Sequence, residues 1–492
     1  LLQNLDCWRK SSSFHNKAIA MTTIILLSSQ ICNAFGSKRT RLIRSIFVRQ
    51  YAMSPLIIDD TEIRYAMAPM VACSDYAFRK LIRSYSMDEN QKPPVILGYT
   101  QMIHAKSLLN DKTYRRNHVD FGPWDGTLLR CQTSCREGVE TIPVSRDEGG
   151  PLMVQLAGHC PSTVVAAAES LLHTGITGID FNLGCPQNIA RKGNYGAFLM
   201  EKEEDLVYDI LRKLRRALPD DVLVSAKIRL PLEGTTALKR RMAKLVDTGI
   251  NFVTIHGRTL KENKVAVGAC HLDQIKLAVD YVQTTLRPEG GFSIISNGGI
   301  EHHECLQSVF SKTGASAIMS SEALLETPNL FAVPTIVKDP KLMFRQQLQF
   351  ARDYVKLCAQ YPPLPGTNSP DGGSFTIARG HLIKFLHRYL SVHTDLRTQL
   401  TDSMPWNLGA ALVLLDELES RYQKDSDFEQ YCGTSWYLRH RLGQDRIHLK
   451  NGSSQISLTS SSLSLQERKQ NIQERIEKLQ YEKQRKKGHI MI

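Results

Sequence analysis

No stretch of this chain approaches the ~20 consecutive apolar residues that a membrane-crossing helix needs. The run at 24–27 is far shorter. Eleven cysteines are present but scattered, which yields no disulfide framework and points to a reducing compartment. Cys131 and Cys135 form a lone Cys-x-x-x-Cys with no second pair and no neighbouring histidine, so no metal site is read. No Gly-x-Gly-x-x-Gly follows the first strand-like run, which counts against an open dinucleotide-binding sheet. No unit recurs at a spacing of roughly 20–50 residues. Acidic residues are missing between Cys7 and Ile58, although Arg9, Lys10, Lys17, Lys38, Arg39, Arg41, Arg44 and Arg49 stand there.

What is present is an alternation. Short β-rich runs at 65–70, 95–102, 152–157, 178–183, 222–229, 252–256, 292–297 and 317–321 are separated by stretches with helical spacing. The helical candidates include 162–173, 203–217, 236–248, 272–285 and 302–311. Eight strands alternating with helices predict an α/β chain: a (β/α)8 TIM barrel, followed by a smaller all-helical domain. The expected organisation is a basic N-terminal extension over 1–55, the barrel over 56–338, the helical domain over 339–425, and a basic linker with a helical tail over 426–492. An insertion at 122–150 is read as a surface loop, and 453–464 as a Ser-rich linker.

In such a barrel the chemistry lies at the carboxyl ends of the strands. Those ends carry Met70, Gln155, Cys185, Lys227, Arg229, His256, Arg258, Asn297-Gly298-Gly299 and Ser320-Ser321. Each alone has an ordinary structural reading: a satisfied core amide, a buried imidazole, an inert buried thiol. An amide, a thiol, an ammonium, an imidazole and a Gly pair ending successive strands are hard to reconcile with filler. Cys185 stands out because Pro186 ends the strand immediately after it and turns the chain out of the sheet.

Six segments in order carry a resemblance: Ala68-Pro69-Met70-Val71, Val154-Gln155-Leu156-Ala157-Gly158, Asn182-Leu183-Gly184-Cys185-Pro186, Ala226-Lys227-Ile228-Arg229, Thr254-Ile255-His256-Gly257-Arg258 and Ser296-Asn297-Gly298-Gly299. They resemble the motifs of tRNA-dihydrouridine synthases, and the segment from Cys185 to Leu199 is most similar to the eukaryotic branch acting on D-loop positions 16 and 17. The resemblance implies a flavoprotein in which FMN is reduced by NADPH and passes hydride to C6 of a uridine. Cys185 would then be the general acid toward C5. It further implies that Lys227 faces the N1/O2 edge of the flavin and Gln155 its pyrimidine edge. His256 and Arg258 would approach the ring or the ribityl chain, and Pro69, Met70 and Val71 would form a wall under the ring. Asn297, Gly298 and Gly299 would meet the phosphate. Many relatives place an arginine on that phosphate after the eighth strand; this chain has Ser321-Glu322, which leaves the task to backbone donors and Ser321. The implied partner is tRNA. The alternatives are a flavin reductase of a free pyrimidine or enone, and a tRNA-binding protein whose catalysis has lapsed.

Charge agrees with a nucleic-acid partner: 62 Lys and Arg stand against 49 Asp and Glu, a net +13. Arg345, Arg352, Lys356, Arg379, Lys384, Arg388 and Arg397 fall in the helical region, where they could follow a phosphate backbone or form a solvated face. The chain is read as monomeric, without a membrane, and as cytoplasmic or nuclear. The acid-free N-terminus makes a mitochondrial transit peptide the alternative. Position 1 is Leu, so the start stays open between an upstream residue, Met21 and Met53.

Overall fold

A computed structural model describes residues 53–86, 95–121, 148–263, 267–332, 339–364, 375–402, 407–422, 427–428 and 435–438. Residues 1–52 of the N-terminal extension, Cys131 and Cys135 with the rest of 122–147, and residues 439–492 of the C-terminal linker and tail lie outside these residues.

The expected barrel is present. Its strands are β3 (Tyr65–Met67), β4 (Ile96–Tyr99), β6 (Leu152–Ala157), β7 (Gly178–Leu183), β8 (Leu223–Leu230), β9 (Phe252–Thr259), β10 (Ser293–Asn297) and β11 (Ala317–Ser320). All pair in parallel; β3 lies between β4 and β11, and β4 pairs with β6, so the sheet closes on itself. The two-residue β5 (Ile103–His104) resumes the line of β4 and pairs with the end of β6. Closure leaves the barrel sheet itself without a free edge among the described residues.

Period-two alternation sorts each strand between two cores. Ile179, Phe181 and Leu183 of β7, and Val224, Ala226 and Ile228 of β8, join one apolar cluster with the surrounding helices. The alternate residues, Asp180 and Asn182 on β7 and Ser225, Lys227 and Arg229 on β8, therefore turn to the barrel interior. The lower interior is sealed by a hairpin, β1 (Leu56–Ile58) and β2 (Thr61–Ile63). Its Leu56, Ile58 and Ile63 cluster with Ala66, Leu97, Met153, Phe252 and Ile295. Asp59 and Asp60 at its tip have φ of 47° and 58°, the twist a two-residue hairpin loop demands. With the bottom plugged, the cavity opens at the carboxyl ends of the strands.

The helical region packs directly on the barrel. Helix α1 (Tyr76–Tyr85) starts at Asp75, whose side chain caps Phe78 N–H, and it meets α2 (Pro340–Gln360). Helices α3 (Phe375–Phe385), α4 (Thr394–Asp402) and α5 (Leu408–Ser420) complete that side. Phe78, Leu81, Ile318 and Leu324 share one core with Phe344, Tyr354, Leu382, Phe385 and Leu415. The Asp75 carboxylate accepts from His381 Nε2 at 2.8 Å and Tyr354 Oη at 3.2 Å, tying the loop after β3 to α2 and α3. Among the described residues no helix is long and apolar enough to cross a membrane.

Candidate active site

The register of the parallel strands stacks the polar side chains in layers. Gln155 stands beside Asp180 and Asp180 beside Ser225; one layer up, Asn182 stands beside Lys227. Arg229, His256 and Asn297 are likewise neighbours across β8, β9 and β10. The result is a polar upper interior above an apolar lower one.

Cys185 lies two residues beyond β7, half-buried. Its backbone N–H and that of Gly184 donate to Asn182 Oδ1 at 3.1 and 3.3 Å. Ala197 N–H holds the Cys185 carbonyl at 3.2 Å, and Ala157, Ala190 and Tyr195 pack around the side chain. Burial raises the thiol pKa. The Gln187 N–H, Arg229 and Lys227 oppose that rise without reversing it. Cys185 is thus protonated at neutral pH, with two cations near enough to favour its conjugate base.

Lys227 Nζ donates to Asn297 Oδ1 at 2.8 Å, and Asn297 Nδ2 donates to Met319 O at 2.9 Å. Burial and the neighbouring Arg229 push the ammonium down to about 8, while Asp180 and Cys185 hold it up. His256 is driven well below its ordinary value by burial and by Arg229, Lys227 and Arg258. It is therefore a neutral imidazole, with Nε2 accepting from Arg258 Nη1 at 3.2 Å and the proton on Nδ1. Arg258 Nε donates to Gly268 O at 2.9 Å, and its Nη2 is buried without a hydrogen-bond partner.

Beside these groups lies a cleft of about 280 Å³ bordered by Arg229, His256, Arg258, Gly298, Ser321 and Tyr437. Gly298 and Gly299 have φ of 104° and 74°, open to glycine, so their backbone runs bare along its wall. Ser321 precedes the short helix Glu322–Glu326, and the exposed Glu322 sits at the rim. Pro69 and Met70 are half-buried in a turn closed by Met70 N–H donating to Ser74 Oγ at 2.9 Å, whereas Val71 is exposed. An anionic, ring-bearing cofactor such as FMN fits this donor set. Arg229 and Arg258 border it, Lys227 is held on the lining residue Asn297, Arg258 Nη2 is buried without a partner, and the Glu262 carboxylate at its border is already engaged by Thr259 and His271.

Two features escaped sequence reasoning. Gln155 is fully engaged on one side: its Nε2 donates to Asp180 Oδ2 and its Oε1 accepts from Asn182 Nδ2, both at 2.7 Å. Asp180 was silent in the sequence because every residue of β7 is buried and only register tells which face a polar one takes. Much of the basic charge expected to follow RNA is also compensated within the fold. Arg352 meets Asp416 and Glu419, Lys356 meets Asp353, and Arg388 meets Glu326. Arg345 and Arg397 are exposed.

Comparison with known proteins places this geometry in context. The family model described as Dihydrouridine synthase (Dus) matches residues 66–404. The tRNA-dihydrouridine(16/17) synthase of Saccharomyces cerevisiae is 33% identical over 338 residues, covering 68% of this chain and 68% of that protein. The tRNA-dihydrouridine(16/17) synthase-like protein of Mus musculus is 30% identical over 373 residues, 75% of this chain and 64% of that protein. The tRNA-dihydrouridine(16) synthase of Haemophilus influenzae is 28% identical over 256 residues, 52% of this chain and 75% of that protein.

Proposed function

This chain belongs to the dihydrouridine synthase family, and on that premise we propose that it reduces uridine to 5,6-dihydrouridine in the D loop of tRNA, using FMN and NADPH. The observation that carries the reading is Cys185: a thiol kept protonated by burial, at the mouth of a closed barrel, beside a cationic cleft suited to FMN. Bound and reduced, FMN supplies the hydride that reaches C6 of the uracil ring.

The side chains do the rest. Cys185 donates its proton to C5, a general-acid step typically worth about 10²–10⁴-fold in rate. Arg229 and Lys227 stabilise the thiolate that remains, the same two charges that draw the thiol pKa down. Lys227, Asn297, His256, Gln155, Pro69, Met70 and Val71 would hold the flavin; Gly298, Gly299, Ser321 and Arg258 would receive its phosphate. The target base must leave the D-loop stack to reach Cys185, since a stacked pyrimidine presents neither C5 nor C6 to a pocket. The helical domain docked beside the mouth, with Arg345 and Arg397 exposed, is the surface assigned to the tRNA backbone.

Incubating tRNA that lacks dihydrouridine with the protein, FMN and NADPH tests the reading. Nucleoside mass spectrometry is expected to find a uridine heavier by two hydrogens, mapped to the D loop. Product from free uridine, with none from tRNA, would instead identify a small-molecule reductase.

A further inference from the structure

The most completely specified hydrogen-bond cluster in the barrel interior is a chain across β6, β7 and β8. Ser225 Oγ donates to Asp180 Oδ1 at 2.6 Å, and Gln155 Nε2 donates to Asp180 Oδ2 at 2.7 Å. Asn182 Nδ2 donates to Gln155 Oε1 at 2.7 Å, while Gly184 and Cys185 N–H both donate to Asn182 Oδ1. Asp180 and Ser225 are wholly buried, and Gln155 and Asn182 nearly so.

The direction of this chain follows from one group. An ionised carboxylate only accepts, so Gln155 must turn its NH₂ toward Asp180 and its carbonyl toward Asn182. Asn182 must then answer with its NH₂, which leaves its carbonyl for the two backbone N–H groups of the Cys185 loop. Without a fixed acceptor at the far end, both amides could flip together. Asn182 would then present N–H to N–H at Gly184 and Cys185, and the loop would be repelled.

We propose that Asp180 is a positioning residue: its carboxylate sets the donor–acceptor polarity of the Gln155 and Asn182 amides and, through them, the placement of the Cys185 loop. This rests on the reading of Cys185 as the reacting thiol, but the device itself is a property of the fold. Burial pushes the Asp180 carboxyl up to about 6, with Gln155, Ser225 and Lys227 opposing the rise, so it is ionised at pH 7.5. The same polarity decides which donors and acceptors Gln155 and Asn182 have left for a ligand in the mouth.

The test reverses the chain. Asp180→Asn removes the fixed acceptor, and Asn182→Asp removes the N–H that Gln155 Oε1 needs. Together they restore a consistent chain running the other way. Residue 180 then donates to Gln155, Gln155 donates to residue 182, and the carboxylate at 182 still accepts from Gly184 and Cys185. The flavin-loaded protein at pH 7.5 would be followed by its Tm and by the alkylation rate of Cys185 with iodoacetamide, read by peptide mass mapping. Each single variant is expected to lower Tm by several degrees and change the alkylation rate about fivefold or more. The double variant should recover most of both losses. Losses that simply add in the double variant, or singles indistinguishable from wild type, would overturn the proposal. Should a single variant fail to fold, a folded double variant supports it and an unfolded one contradicts it. Neither readout involves tRNA, so failure here is separable from failure of the proposed reaction.

Discussion

Gly196→Ala probes how tightly the fold places the thiol. Gly196 has φ 67° and ψ −141°, a conformation essentially reserved for glycine, so alanine there costs about 1–3 kcal/mol in backbone strain. The added Cβ would also lie 2.9 Å from Cys185 O and 3.0 Å from Cys185 Cβ. Ordinary contact begins at 3.4 Å, so the Cys185 backbone must retreat by roughly half an ångström, against the hydrogen bond from Ala197 N–H. A proton donor works only within about 2.6–3.2 Å of its target, and an error near 1 Å costs on the order of 10²-fold. The expected result is a folded protein that keeps its flavin, melts several degrees lower, and reduces tRNA roughly 10- to 100-fold more slowly in a single turnover. A single-turnover rate within twofold of wild type, despite the lowered Tm, would show that the placement of Cys185 does not limit the chemistry.

Cys185→Ala should bind FMN normally and lose about 10²–10⁴-fold in single-turnover reduction; an unchanged rate would assign the proton to another group. For Lys227, the folded pKa of about 8 lies below the ordinary 10.5, so the unfolded chain binds more protons between those values. Stability of the flavin-free protein should therefore climb as pH rises from about 8 toward 10.5. An anion seated beside Lys227 favours the charged form, so FMN affinity should weaken as pH passes 8. Calorimetric titration would detect the accompanying proton uptake, and Lys227→Met should abolish it. Arg79 is buried between Asp120 and Glu148, with Nη2 3.2 Å from Asp120 Oδ1 and Nε 2.9 Å from Glu148 Oε2. Arg79→Met strands two buried carboxylates at the borders of the 122–147 segment and should lower urea stability by about 3–5 kcal/mol; an unaltered midpoint would contradict that.

The barrel was legible because buried parallel strands are continuous apolar runs and their helices keep a 3.6-residue period. Expected and observed strands agree to within a residue or two at 152–157, 178–183 and 292–297. The exceptions have physical causes. The first run was read to Met70, but β3 stops at Met67 because Ala68-Pro69-Met70 enters the turn that Ser74 closes. The run at 95–102 is strand only through β4, which stops at Tyr99 before Thr100 and Gln101, whose side chains bond the Gln101 and His118 carbonyls; β5 lies just beyond the run. The plug hairpin was missed because two three-residue strands carry too little pattern to register.

Within the mouth, residue types were readable and partners were not. Lys227 and Asn297 are 70 positions apart and meet only because the register of β8, β9 and β10 brings them together. The same holds for Asp180, whose importance lies in what it holds. Ser321 shows the opposite limit: it borders the cleft, yet its neighbour Glu322 is an anion and cannot replace an arginine on a phosphate. The cationic side of the cleft comes from β8 and β9 instead, through Arg229 and Arg258.

The most direct measurement is anaerobic. The flavin of the purified protein is reduced with NADPH, excess reductant is removed, and tRNA lacking dihydrouridine but carrying its other modifications is added while flavin absorbance is followed. Rapid reoxidation by tRNA, none by free uridine, and a large slowing in Cys185→Ala are predicted. Flavin that binds and reduces but stays reduced with tRNA would contradict the account.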